Sequence, residues 1–152
     1  MLLIDANVLI NAYREDAADH AAYYAWLDGV LRSHRSFALP DIVAAAFVRI
    51  LTNPRIFRKP EPIDRALANI EDLQSRSECV WLRASNRHWA IFADLCREAH
   101  ATGNLVTDAW LAALAIEHEC ELISADRDFA KFPGLRWRHP LDVPPTPSGS
   151  PA

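Results

Sequence analysis

The sequence predicts an α/β domain with a central, mainly parallel sheet of about five short strands flanked by helices. Two observations point there. Apolar runs of a few residues alternate with longer stretches in which apolar residues return every three or four positions, the pattern of strand–helix–strand crossovers. Acidic residues stand at or just past the ends of the apolar runs, the edge where parallel sheets open their ligand crevice. The size agrees: 152 residues with 51% hydrophobic and 24% charged side chains suffice for one continuous core in an ordinary soluble domain.

Taken in order, "LLID" (2–5) is a strand ending in Asp5. "ANVLINAYR" and "AADHAAYYAWLDGVLRSHR" read as helices, with Ala, Tyr, Trp and Leu at helical spacing. "SFALP" (36–40) is the second strand, and Asp41 is expected to cap the helix "IVAAAFVRIL", which stops before Asn53-Pro54. "NPRIFRKPEP" is a loop, and Pro62 opens a helix at a first-turn position that runs to about Arg76. "CVWLR" (79–83) is the third strand. Helices over about 86–101 and 105–119 follow, separated by Gly103-Asn104 as a helix stop. Then come the strand "ELIS" (121–124), a helical turn in "RDFAKF" and the strand "LRWRH" (135–139). The domain therefore spans 1–142, and the Pro/Ser/Gly-rich tail at 143–152 is expected to be disordered.

Net charge is −4, from 16 Lys+Arg against 20 Asp+Glu, which argues against a uniformly basic nucleic-acid surface. A local strip remains, because Arg49, Arg55, Arg58 and Lys59 fall within "RILTNPRIFRK". Two readings of it stand: a loop of solvated charges, or a strip facing phosphates. No run approaches the ~20 apolar residues of a membrane span, and the N-terminus lacks a basic leader and cleavage site, so a cytosolic protein without a membrane partner is expected. Cys79, Cys96 and Cys120 are widely spaced with no CxxC pair, and are read as reduced packing residues.

The acids carry the chemistry. Asp5 ends the first strand, Asp41 follows the second, Asp126 follows the fourth, and Asp108 is placed in the first turn of its helix, within reach of the same rim. Gathered carboxylates raise one another's pKa, so at neutral pH they hold a proton or bind a cation. Oxygen ligands without His or Cys suit Mg²⁺ or Mn²⁺ with coordinated water, an arrangement able to hydrolyse a phosphodiester. The plain reading of each Asp alone is a helix cap or turn. His118-Glu119-Cys120-Glu121 lacks a second His at helical spacing and is read as a polar helix exit. No GxxxxGK[ST], GxGxxG or GxSxG occurs, which leaves phosphate-loop and serine-hydrolase chemistry without support.

Three blocks, "LLIDANVLINAY", "FVRILTNPRIF" and "GNLVTDAWLAALAIEHECELISADRDFAKFPGLRW", resemble in order and spacing the PIN domain, and within it the VapC toxins of VapBC toxin–antitoxin modules. The resemblance covers about residues 1–142. It implies a Mg²⁺- or Mn²⁺-dependent endoribonuclease, usually a homodimer, inhibited by a VapB-type antitoxin whose C-terminal segment fills the active-site groove. The family's acids fall on Asp5, Asp108 and Asp126, with Asp128 beside the last, and Asn7, Thr107 and Ser124 match polar positions that help hold them. Family members also carry a Glu in the helix after the second strand. Alignment on "FVRILTNP" places that position on Ala44, with Asp41 one turn earlier as a water-bridged substitute. A PIN-fold module that holds RNA or protein without efficient cleavage is the alternative. A receiver-like phospho-acceptor is disfavoured, because Asp5 stands alone in its strand and Lys131 is poorly placed.

Overall fold

The structure, a computed structural model, describes residues 1–142; the tail expected to be disordered at 143–152 lies outside the described residues. Five strands form one sheet: Leu2–Ile4 (β1), Phe37–Ala38 (β2), Cys79–Val80 (β3), Glu121–Ile123 (β4) and Trp137–Arg138 (β5). Six helices separate them: Ala6–Tyr13 (α1), His20–Arg32 (α2), Asp41–Leu51 (α3), Ile63–Gln74 (α4), His88–Glu98 (α5) and Asn104–Glu117 (α6), with a short 3₁₀ turn at Arg127–Lys131. The expected alternation is present, and every strand pair is parallel.

The strand order is β3-β2-β1-β4-β5. The chain thus builds outward from β1 to one side, then returns to build on the other, so the topological switch point lies between β1 and β4. That is where parallel α/β sheets leave an open crevice, because the connections on the two sides diverge. Leu2 pairs with Glu121, Leu3 with Leu122 and Ile4 with Ile123. Leu2, Leu3, Ile4, Leu122 and Ile123 are all buried. Helices cover both faces of a parallel sheet, which explains why these strands read as continuous apolar runs rather than as alternation.

The strands read at 36–40, 79–83 and 135–139 are shorter than expected, and three helix ends shift at their capping residues. Asp41 is not the cap of α3: Pro40 takes that position and Asp41 is the first helical residue, with its carboxylate accepting the Trp81 indole N–H. Pro62 likewise caps α4 rather than entering its first turn. Gly103 does not stop α5, which ends at Glu98; His100 takes the left-handed position (φ 54° is found at His34, 49° here), and the Ala101 N–H donates to the Cys96 carbonyl at 2.9 Å. Gly103, with φ 57° and ψ −128°, instead precedes α6, in a region that side chains with a Cβ disfavour. Cys120 is buried, Cys79 and Cys96 are half-buried, and all three are free thiols. Among the described residues, no helix is long and apolar enough to cross a membrane.

Candidate metal centre and nucleic-acid interface

Asp5 sits directly after β1 and caps α1. Its Oδ1 accepts the Ala6 N–H at 2.7 Å, while Oδ2 accepts the Ser124 hydroxyl at 2.7 Å and the Asn7 side-chain amide at 3.0 Å. Asn7 also donates to Ser124 Oγ at 3.0 Å and accepts the Ala125 N–H at 3.1 Å. Residues just past β1 and β4 are therefore tied together across the switch point. Ser124 is fully buried, and its bonds hold one carboxylate rotamer in place. Burial pushes the Asp5 pKa up, and the nearby Asp126 adds to the rise, although the Ser124, Ala6 and Asn7 bonds oppose it.

Asp108 lies in the second turn of α6, not the first, because that helix already begins at Asn104. Burial, followed by the charges of Asp126, Asp5 and Asp128, raises its pKa to about 6, with only Lys131 opposing. The four acids thus share one electrostatic neighbourhood. Asp126 caps the 3₁₀ turn by accepting the Asp128 N–H at 2.9 Å, and its own N–H donates to Ser124 Oγ at 3.0 Å. Asp128 is exposed and paired with Lys131 at 2.9 Å. Asp5 and Asp108 line a small cleft of about 60 Å³ together with Ile42, Val43, Ala46, Thr107 and Leu111. Thr107 is exposed at its edge and makes no hydrogen bond to the carboxylates among the described residues.

The wall that α3 contributes corrects the expected alignment. Ala44 is buried in the core, and the cleft is faced by Ile42, Val43 and Ala46. A shift of two residues along a helix turns a side chain by about 200°, so a position misread by two points to the opposite side. Ala46, rather than Ala44, puts a methyl group where an acid could face Asp5 and Asp108. Asp41 points to Trp81 and lines a different cavity, so it does not stand in for that acid.

The donor set fits a hard divalent cation. All the candidate ligand atoms are oxygens, and the cleft has room for an ion with one or two waters at ~30 Å³ each. Among the described residues, no group of three or more His, Cys, Asp or Glu side chains is placed to hold an ion, so the cleft offers the two carboxylates of Asp5 and Asp108. An open site with one or two protein carboxylates and remaining water positions is the form that Mg²⁺ accepts.

The basic loop is held by a residue that sequence reasoning passed over. Arg14 is buried; its Nη1 donates to the Lys59 carbonyl at 3.1 Å, it pairs with Asp16, and its guanidinium lies 3.9 Å from the centre of the Phe57 ring. Glu61 N–H donates to the Leu51 carbonyl at 2.8 Å, closing the other end of the loop. The signal was an arginine at the end of an apolar helix, unremarkable without its partners. Arg49, Arg55, Arg58 and Lys59 are exposed and form no ion pair among the described residues. Arg49 shares a stripe of α3 with Ile42 and Ala46, at helical spacing.

An all-parallel sheet with carboxylates tied across its switch point defines an acid-centred α/β domain, and a family model described as "PIN domain" matches residues 2–135: the chain belongs to the PIN-domain family. Within that family it groups with the VapC proteins. It is 42% identical to Ribonuclease VapC43 of Mycobacterium tuberculosis over 142 residues, 93% of this chain and 97% of that protein. It is 40% identical to Ribonuclease VapC31 of the same species over 140 residues, 92% of this chain and 99% of that protein. The fold matches a chain of VapBC2 from Rickettsia felis, solved bound to a DNA fragment from its promoter, with a TM-score of 0.67 and 17% identity over 91% of this chain and 97% of that one.

Proposed function

We propose that this chain is a divalent-metal-dependent endoribonuclease toxin, neutralised by a cognate VapB-type antitoxin and acting in the cytoplasm as a homodimer. The observation that carries the reading is the meeting of Asp5 and Asp108 on one cleft at the switch point, with Asp126 near enough to raise the pKa of both. Asp5 and Asp108 would hold Mg²⁺ or Mn²⁺, with Asp126 at the rim. When bound, such an ion stabilises charge on a phosphodiester and activates water. The chain's own residues set the geometry: Asn7 and Ser124 lock Asp5, the Asp128 amide fixes Asp126, and Lys131 offsets the charge of Asp128. The relatives named as ribonucleases support RNA as the substrate, and the VapBC assembly of the Rickettsia felis protein supports a VapB-type partner.

Because the nucleophile is water rather than a neighbouring ribose hydroxyl, cleavage is expected to leave 5′-phosphate and 3′-hydroxyl ends and to survive a 2′-deoxy substitution at the cut site. End-labelled products of purified protein on total RNA, with Mg²⁺, Mn²⁺ and EDTA arms, test this, and a 2′,3′-cyclic phosphate would exclude it. A further expectation concerns the loop pinned by Arg14. If it tracks the RNA backbone, Arg55→Ala with Arg58→Ala weakens binding and lowers the log–log salt slope by about 0.7 per lost phosphate contact on a single strand. An unchanged slope returns the loop to the role of a solvated surface.

A further inference from the structure

Beside the carboxylate cleft, and sharing Ile42 with it, lies a larger open cavity of about 620 Å³ whose lining includes Pro40, Asp41, Leu82, Arg83 and Trp110. This volume lies within the ~300–1,000 Å³ of small-molecule clefts. Pro40 and Leu82 each follow a strand, β2 and β3, by two residues, so the cavity opens at the same sheet edge as the acids. None of the roles described so far uses it.

Its walls form a consistent set. Trp110 lies two residues beyond Asp108 on α6, and its ring is braced by His88, 4.0 Å between centroids, and by Phe92, 5.4 Å away. Ile42 and Leu82 add apolar surface. Arg83 is exposed, its carbonyl is anchored by His118 Nε2 at 2.9 Å, and its guanidinium forms no ion pair among the described residues. One Asp41 oxygen accepts the Trp81 indole N–H, while the other has no hydrogen-bond partner among the described residues. A braced aromatic ring, a free cation and a free acceptor suit a flat heterocycle with an anionic tether and an N–H edge.

We infer that this cavity takes one unstacked nucleobase of the RNA strand next to the scissile phosphodiester, with guanine preferred. Trp110 stacks on the base, Arg83 meets the adjoining phosphate, and Asp41 accepts from the guanine N1–H and N2–H pair. A carboxylate accepts only, and adenine, cytosine and uracil each put an acceptor beside the donor on that edge, whereas guanine offers two adjacent donors. The inference rests on the ribonuclease reading and adds a specificity pocket to it.

The test compares kcat/KM on single-stranded oligoribonucleotides that carry G, A, C or U at each position around the cut. Wild type is expected to favour guanine at one position by ~10-fold or more, the scale of one paired hydrogen-bond contact to a base edge. Trp110→Phe keeps most of the activity, and Trp110→Leu lowers kcat/KM for all four bases, because stacking is sequence-tolerant. Asp41→Asn retains an oxygen for Trp81 but offers the base an N–H donor, so the guanine-to-adenine ratio falls to unity or below. Arg83→Ala raises KM for every base without changing their ranking. Should Trp110→Leu fail to fold, the two exposed positions, Asp41 and Arg83, carry the test. The same base profile in wild type and Asp41→Asn overturns the proposal. So does a loss of cleavage for all bases alike in Asp41→Asn, which would assign Asp41 to the ion site. Dissociation of a dimer by Arg83→Ala, seen by sedimentation, would make the cavity a subunit interface and also overturn it. If wild type cuts no RNA with either metal, the ribonuclease reading fails; quenching of Trp fluorescence by the four oligonucleotides in EDTA then decides the cavity separately, with equal affinity for all four refuting the guanine preference.

Discussion

Asp108→Asn is expected to lower RNA cleavage by at least about 100-fold while leaving the fold intact, since even groups outside a metal's ligand set are worth ~10–100-fold. The substitution keeps the shape of a side chain that lines the cleft and removes one of the charges that would hold the ion. Asp64→Asn, in the first turn of α4, is the control and should cleave as wild type does. Full activity in Asp108→Asn would remove the metal centre from the proposal.

The same variant has a stability signature. The Asp108 pKa is about 6 in the folded chain against an ordinary value of 3.8. Between those values the folded chain binds more protons than the unfolded one, so stability falls as pH rises through that window and levels off above it. In EDTA, Asp108→Asn should lack this part of the decline and melt higher than wild type at pH 7. Excess Mn²⁺ should shrink or reverse the gap, because a cation stabilises the ionised wild-type site. Thermal melts at pH 4, 5, 6 and 7 with and without metal read all of these shifts, and parallel pH profiles for the two proteins in EDTA would contradict them.

The second large effect is expected from a pair of substitutions two residues apart on α3. Ala46 faces Asp5 and Asp108, so Ala46→Glu adds a carboxylate to the cleft. With metal it should raise affinity by about 10-fold or more, and without metal it should destabilise by adding to an unneutralised cluster. Ala44 is 9% exposed and packed in the core, so Ala44→Glu buries a charge with no partner and should cost several kcal/mol in EDTA and in Mn²⁺ alike, of the order of ~3–5 kcal/mol. Opposite responses to metal in the two variants are the expected result. If Ala46→Glu is destabilised equally in both conditions, α3 does not border the ion.

The sequence alone determined the element order and the parallel class of the sheet, and it placed Asp5 and Asp126 at strand ends, whereas Asp41, read at the same rim, turns toward Trp81. The first three follow from local properties: the apolar runs of β1 and β4, helical spacing between them, and the position of Asp5 and Asp126 relative to strand ends. The roles expected for Asn7 and Ser124, which came from a family resemblance, correspond to direct bonds to Asp5. What only the tertiary structure decided is which side of each helix meets which neighbour. Periodicity fixes that α3 has an apolar face but not its rotation toward β1, and that rotation separates Ala46 from Ala44. Asp41 satisfied the local preference for a cap, yet Trp81, forty residues later, claimed its carboxylate. Arg14 and Trp110 were equally silent, because the Phe57 ring and Lys59 carbonyl that engage one, and the His88 and Phe92 rings that brace the other, are brought to them by chain packing. Spacing along the chain carries short-range preference, whereas the site is completed by contacts between segments far apart in sequence, which packing of the whole core selects.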